Sequence, residues 1–190
     1  MVSRSLVLGY HGCDLSTAQG LVSGTLHPDL KRNKTDWLGH GFYFWEDSPA
    51  RALRWARDEQ KRNPAKIASP AVVGAVVDLG NCLNLIDAEH LEVVAAAHLI
   101  YRQLCASSGA QPLTNKGKEM AARFLDCAVF ETLHEFRRNQ REVAFDSVRA
   151  FFVEGQEIYP TAGLRSLDHI QICVRSLGQI RGFFFPRPRP

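Results

Sequence analysis

Nothing in the 190 residues supplies the clustered ligands of a zinc site. The five cysteines, Cys13, Cys82, Cys105, Cys127 and Cys173, are odd in number and never spaced as Cys-x-x-Cys. Each sits among apolar neighbours, which reads as a buried reduced thiol in a reducing compartment. No run approaches the ~20 apolar residues of a transmembrane helix, and the apolar stretch before His11, Leu6 to Tyr10, is too short for a signal-peptide core. The expectation is a cytoplasmic site of action without membrane contact, with delivery by a signal-free route left open. Also missing are a Gly-x-Gly-x-x-Gly after the first strand and a Gly-x-x-x-x-Gly-Lys loop, which excludes a Rossmann dinucleotide site and a P-loop. Without an internal repeat or a Gly/Ser linker, residues 1–190 read as a single domain.

What is present fits a globular chain, with 45% hydrophobic and 23% charged residues. The net charge of +3 does not by itself imply nucleic acid. Basic residues cluster at Lys31, Arg32 and Lys34, along Arg51, Arg54, Arg57, Lys61 and Arg62, and at Arg181, Arg187 and Arg189. Such runs are usually solvated faces.

Residues 5–10 read as a strand broken by Gly12, followed by a short helix over 16–23 and a polar loop over 24–40. Residues 41–45 (GFYFW) are strand-like. Ser48-Pro49 marks a helix start that runs to about Arg62. Residues 71–79 form a buried-looking strand, and 83–86 a sheet edge. Asp87 caps a helix to about Leu104, with Leu91, Val94, Ala97 and Tyr101 on one face. Residues 116–138 carry the strongest helical pattern, a stripe of Phe124, Leu125, Ala128, Val129, Thr132, Leu133 and Phe136. Residues 143–153 are strand-prone, and 154–168 form a loop. Residues 169–175 alternate, with Ile170, Ile172 and Val174 opposite His169, Gln171 and Cys173. Residues 179–185 are a final strand. Strands, then helices, then strands argue for an α+β or mixed α/β domain.

Three segments carry the chemistry: Tyr10-His11-Gly12, Gly39-His40-Gly41-Phe42-Tyr43-Phe44, and His169-Ile170-Gln171-Ile172-Cys173-Val174. Together they resemble the ADP-ribosyltransferase superfamily, on its poly(ADP-ribose) polymerase or diphtheria-toxin-like (H-Y-E) side. The resemblance covers about residues 5–57 and 168–184, and residues 72–87 look like the family's central strand and turn. It implies an α+β fold with a split mixed β-sheet and flanking helices, NAD as co-substrate, and a His-Tyr-Gln motif in which Gln171 stands at the family's glutamate.

Breaking the nicotinamide–ribose bond passes through an oxocarbenium-like state. By the resemblance, His11 hydrogen-bonds a ribose hydroxyl, Gly12 backbone fixes the nicotinamide amide, and Tyr43 stacks on the nicotinamide ring. Gly41 and Ser48 complete the cofactor-binding set. Gln171 binds the nicotinamide ribose but, unlike glutamate, cannot act as a base. That departure implies transfer of single ADP-ribose units. Glu154, Glu157 and Asp168 are the nearest carboxylates if a base is needed, and Lys31, Arg32 or Lys34 sit where the pyrophosphate would pass.

The implied activity is a mono-ADP-ribosyltransferase acting on a protein or nucleic-acid acceptor. NAD glycohydrolysis and a non-catalytic NAD- or ADP-ribose-binding module are the alternatives. Small size suits a toxin with an antitoxin or immunity partner, by analogy alone. Taken singly, each residue has a plainer role: His11 as a strand-end histidine, Tyr43 as a core aromatic, His90, His98 and His134 as helix packing. The conjunction carries the reading.

Overall fold

A computed structural model describes residues 5–30, 32–117 and 120–187. The chain is α+β. Its strands are β1 (Leu6–Asp14), β2 (Phe42–Glu46), β3 (Pro70–Asp78), β4 (Cys82–Asn84), β5 (Ser147–Phe152), β6 (His169–Val174) and β7 (Ile180–Phe184). They form one mixed sheet in the order β4-β5-β6-β2-β1-β3-β7. Only the β4–β5 pair is parallel among these neighbours. The helices are α1 (Leu15–Ser23), α2 (Pro49–Arg62), α3 (Ala88–Ser108) and α4 (Phe124–Asn139). No described helix is long and apolar enough to cross a membrane.

Two apolar cores follow from strand alternation. On one face Phe42, Phe44, Val73, Ala75, Val77, Ile172 and Val174 pack with Ala18 and Leu21 of α1. On the other, Val148, Ala150 and Cys173 pack with Ala97 of α3 and Val129, Phe130 and Leu133 of α4. The alternation read for residues 169–174 is observed, with Ile172 and Val174 in the first core and Cys173 in the second.

Of the boundaries that differ from the sequence reading, two have a visible cause. Gly12 does not end β1, which pairs with β3 as far as Asp14. A Cβ at Gly12 would fall against the Ala52 carbonyl oxygen of α2, so glycine here permits close helix–sheet approach and not a turn. The helical pattern over 116–138 overshoots, because α4 begins at Phe124. Gly117 has φ +83°, which halts the chain. The Asn115 side chain then accepts the Leu125 and Asp126 N–H groups that open the helix. By contrast α2 has the expected limits, with Pro49 in its first turn, although the Ser48 side chain makes no cap hydrogen bond. Asp87 caps α3 by accepting the Glu89 N–H, and Gly109 closes it at φ +69°.

None of the five cysteines is bridged; Cys82 is half-buried and the others are buried. Burial pushes Cys13 and Cys127 up to about 11 and Cys173 to about 12, so these remain thiols at neutral pH.

Candidate functional site

The ladder between β1 and β2 is the shortest in the sheet: Gly9 pairs with Glu46 and Tyr10 with Trp45, and towards His11 it goes no further. Beyond it, His11 turns its imidazole to the neighbouring strand. Nδ1 donates to the Tyr43 carbonyl oxygen at 2.9 Å, and the ring packs against Phe42 with centroids 4.6 Å apart. A side chain thus takes over where the backbone ladder stops.

A cavity of about 1090 Å³ opens beside this joint, bordered by His11, Gly41, Tyr43 and Gln171. By alternation Tyr43 and Gln171 share the sheet face of the second core, whereas His11 packs with Phe42 and Phe44 of the first. The short β1–β2 ladder is what allows both faces to reach one space.

Tyr43 is anchored by its hydroxyl, which donates to the Gly39 carbonyl at 2.6 Å and accepts the Leu38 N–H at 2.8 Å. Burial holds its pKa well above the ordinary phenol value, so it stays neutral. The hydroxyl is committed to the preceding turn, and what Tyr43 offers a ligand is its ring. Gly39 has φ +79°. The turn is clamped from outside: Glu131 of α4 accepts the His40 N–H at 2.8 Å, and Arg175 donates to the His40 carbonyl at 2.8 Å and to Glu131 at 2.7 Å. The sequence reading gave Glu131 and Arg175 no role, since neither belongs to the three segments.

Gln171 lies opposite Trp45 on β2 and Ala150 on β5. Its carboxamide makes no hydrogen bond among the described residues. A half-buried amide beside a cavity with its donors and acceptor unspent is available to a ligand.

One face of α2 forms a wall. Arg51, Trp55, Asp58, Glu59 and Arg62 border the cavity at i, i+4, i+7, i+8 and i+11, while Ala52 and Ala56 are fully buried against the sheet. The charges are paired: Arg51 with Glu154 at 2.7 Å, Arg62 and Lys66 with Glu59 at 3.0 and 2.9 Å, and Lys61 with Asp58 at 3.4 Å. All three tryptophans of the chain border the same space. Trp45 and Trp55 lie 5.9 Å apart, and the Trp37 indole donates to the Ala121 carbonyl at 3.0 Å. The signal for this wall was in the sequence, as charged and aromatic residues at helical spacing opposite two alanines. A smaller apolar cavity of about 500 Å³ lies behind Trp37, towards Val94, His98 and Val129.

Gly12 and Ser48 do not border the larger cavity; Gly12 is packed under α2 and Ser48 precedes its first turn. Arg32 and Lys34 are exposed and also lie off it, while Asn33, Thr35 and Asp36 of the same loop face it. Among the described residues, the lysines and arginines that reach the cavity come from α2 and the turn after it. Lys31 and Arg189 lie outside the described residues. Of the three carboxylates considered in the 154–168 loop, Glu154 borders the cavity. Glu157 accepts the Thr161 N–H, and Asp168 accepts the Glu154 and Arg165 N–H groups.

No family model, no curated protein and no solved structure matches this chain.

Proposed function

We propose that the chain cleaves NAD at the nicotinamide–ribose bond and transfers one ADP-ribose unit to a protein or nucleic-acid acceptor. One observation carries the reading: an imidazole, a phenol ring and an unengaged carboxamide from three distant segments, His11, Tyr43 and Gln171, border one cavity. That volume lies at the upper end of ligand pockets, typically ~300–1,000 Å³, and is ample for a dinucleotide. The finer fold, a sheet split in the ADP-ribosyltransferase manner, belongs to this proposal and is supported by the two-pair β1–β2 ladder.

The roles follow from the side-chain chemistry. His11 is held by the Tyr43 carbonyl and orients one ribose. The Tyr43 ring, fixed by its own hydroxyl bonds, presents a flat face for nicotinamide at low entropic cost. The Gln171 amide receives the nicotinamide-side ribose hydroxyls and steadies the sugar as positive charge develops. The C–N bond electrons leave with the nicotinamide nitrogen, and the acceptor attacks the sugar carbon. Gln171 holds but does not deprotonate, which favours single-unit transfer.

The test is incubation with NAD labelled in its adenylate half, following released nicotinamide and the fate of the label. Label on a macromolecule, lost in His11→Ala and Tyr43→Ala, is the expected result. Label recovered as free ADP-ribose with every acceptor would make the protein a glycohydrolase. Full turnover in both variants would remove the site assignment.

A further inference from the structure

Gln171 leaves the acceptor half of the reaction without a base, and the structure holds a carboxylate beside it that the motif does not include. Trp45 sits directly across from Gln171 on the neighbouring strand. The Arg51 guanidinium lies over the Trp45 ring at 5.4 Å, and it donates to Glu154 Oε2 at 2.7 Å. His169, two residues before Gln171 and on the same strand face, approaches that oxygen at 3.6 Å. Contacts therefore run from Trp45 through Arg51 to Glu154, at the start of the 154–168 loop. The Glu154 N–H is fixed by Asp168 at 3.0 Å, which sets where the side chain emerges.

Of the other carboxylates bordering the cavity, Asp58 and Glu59 are engaged by Lys61, Arg62 and Lys66. They lie seven and eight residues along α2 from Arg51, ~10–12 Å at 1.5 Å per residue. Asp36 is bound through both oxygens by Asn33. Glu154 Oε2 takes both of its contacts, and Oε1 has no partner among the described residues. The surroundings are also costly. Trp45 Nε1, Arg51 Nε and His169 Nε2 are buried without hydrogen-bond partners. Three such atoms lie along the contacts that join Trp45, Arg51, His169 and Glu154, and buried polar atoms without partners call for an explanation.

We propose that Glu154 is the general base for the acceptor, and that the acceptor is accordingly a protic oxygen nucleophile, a hydroxyl or water. The inference rests on the NAD-cleaving reading above. The glycosidic C–N bond breaks with its electron pair passing to nicotinamide. The acceptor O–H adds through oxygen to the sugar carbon, and its proton passes to Glu154 and then to solvent. Arg51 is a positioning residue that keeps Oε2 occupied and Oε1 directed to the acceptor.

The test uses the full chain, NAD, and water or methanol as acceptor, with azide as a nucleophile that needs no deprotonation. Glu154→Gln, which still offers an oxygen to Arg51, is expected to slow nicotinamide release about a hundredfold or more, as for loss of a general base. Azide restores the rate and yields the ADP-ribosyl azide. Gln171→Ala, which damages binding of the sugar, is not restored. Wild-type turnover in Glu154→Gln, or a slow variant that azide leaves slow, would overturn the assignment of Glu154 while His11→Ala still tests the parent reading. A wild-type protein that releases no nicotinamide would overturn both.

Discussion

His11 Nδ1 and the Tyr43 carbonyl oxygen are joined at 2.9 Å across the point where β1 and β2 cease to pair. Because a carbonyl can only accept, the proton sits on Nδ1, which fixes the tautomer and the ring plane. His11→Ala removes the bond and the group proposed to hold a ribose. At ~1–3 kcal/mol for such a contact, kcat/KM for nicotinamide release is expected to fall about ten- to a hundredfold. An unchanged kcat/KM would show that the imidazole serves the fold alone.

Tyr43→Phe separates the phenol's two duties. The variant keeps the ring but leaves the Leu38 N–H and the Gly39 carbonyl without their partner. A loss of ~1–3 kcal/mol in unfolding free energy is expected, with nicotinamide release retained to a greater extent than in Tyr43→Ala. Denaturant melts paired with turnover measure both. Equal turnover in the two variants would deny the ring its role.

Gly12→Ala probes the helix–sheet contact. The added methyl meets the Ala52 carbonyl oxygen, with Ala56 Cβ 3.3 Å away. Displacing α2 should cost ~1–3 kcal/mol, the range for overpacking. It also moves the wall bearing Arg51 and Trp55, so NAD affinity should weaken together with thermal stability. A variant of unchanged melting temperature would mean that α2 is not seated on Gly12.

These positions show what the sequence disclosed and what it withheld. Elements set by local chemistry were legible: α2 from its Ser48-Pro49 start, α3 from the Asp87 cap, β6 from its alternation. Errors arose where a residue's reason lay far away in the chain. Gly12 looked like a break because the approach of α2 is not local. The start of α4 was misplaced because its cap, Asn115, is nine residues upstream of Phe124 and acts through a turn. At the site, the three segments were readable as motifs, and His11, Tyr43 and Gln171 border one cavity. The clamp of Glu131 and Arg175 on His40 spans more than 40 residues in sequence and has no local signature. Lys31, Arg32 or Lys34 were expected near the pyrophosphate on charge and position; Arg32 and Lys34 lie off the cavity, whereas Arg51 and Arg62 of α2 border it.

Acid should destabilise the protein partly through His134. Burial, aided by the Arg175 charge, lowers its pKa from 6.5 to about 3. Between those values the unfolded chain binds a proton there and the folded chain does not, so stability falls as pH drops through that window. Urea melts from pH 7 to pH 4 are expected to show a flatter decline in His134→Leu than in wild type. Parallel declines would mean that His134 titrates alike in both states.

NAD is expected to occupy the space bounded by His11, Tyr43 and Gln171, and the indoles report on it directly. Trp37, Trp45 and Trp55 are the chain's full complement of tryptophan and all border that cavity. Titration of a non-hydrolysable NAD analogue, followed by tryptophan emission, should give saturable quenching of most of the signal, with Kd weakened about tenfold or more in His11→Ala and Gln171→Ala. Emission that does not respond in the wild-type protein, or the same Kd in all three, would contradict it.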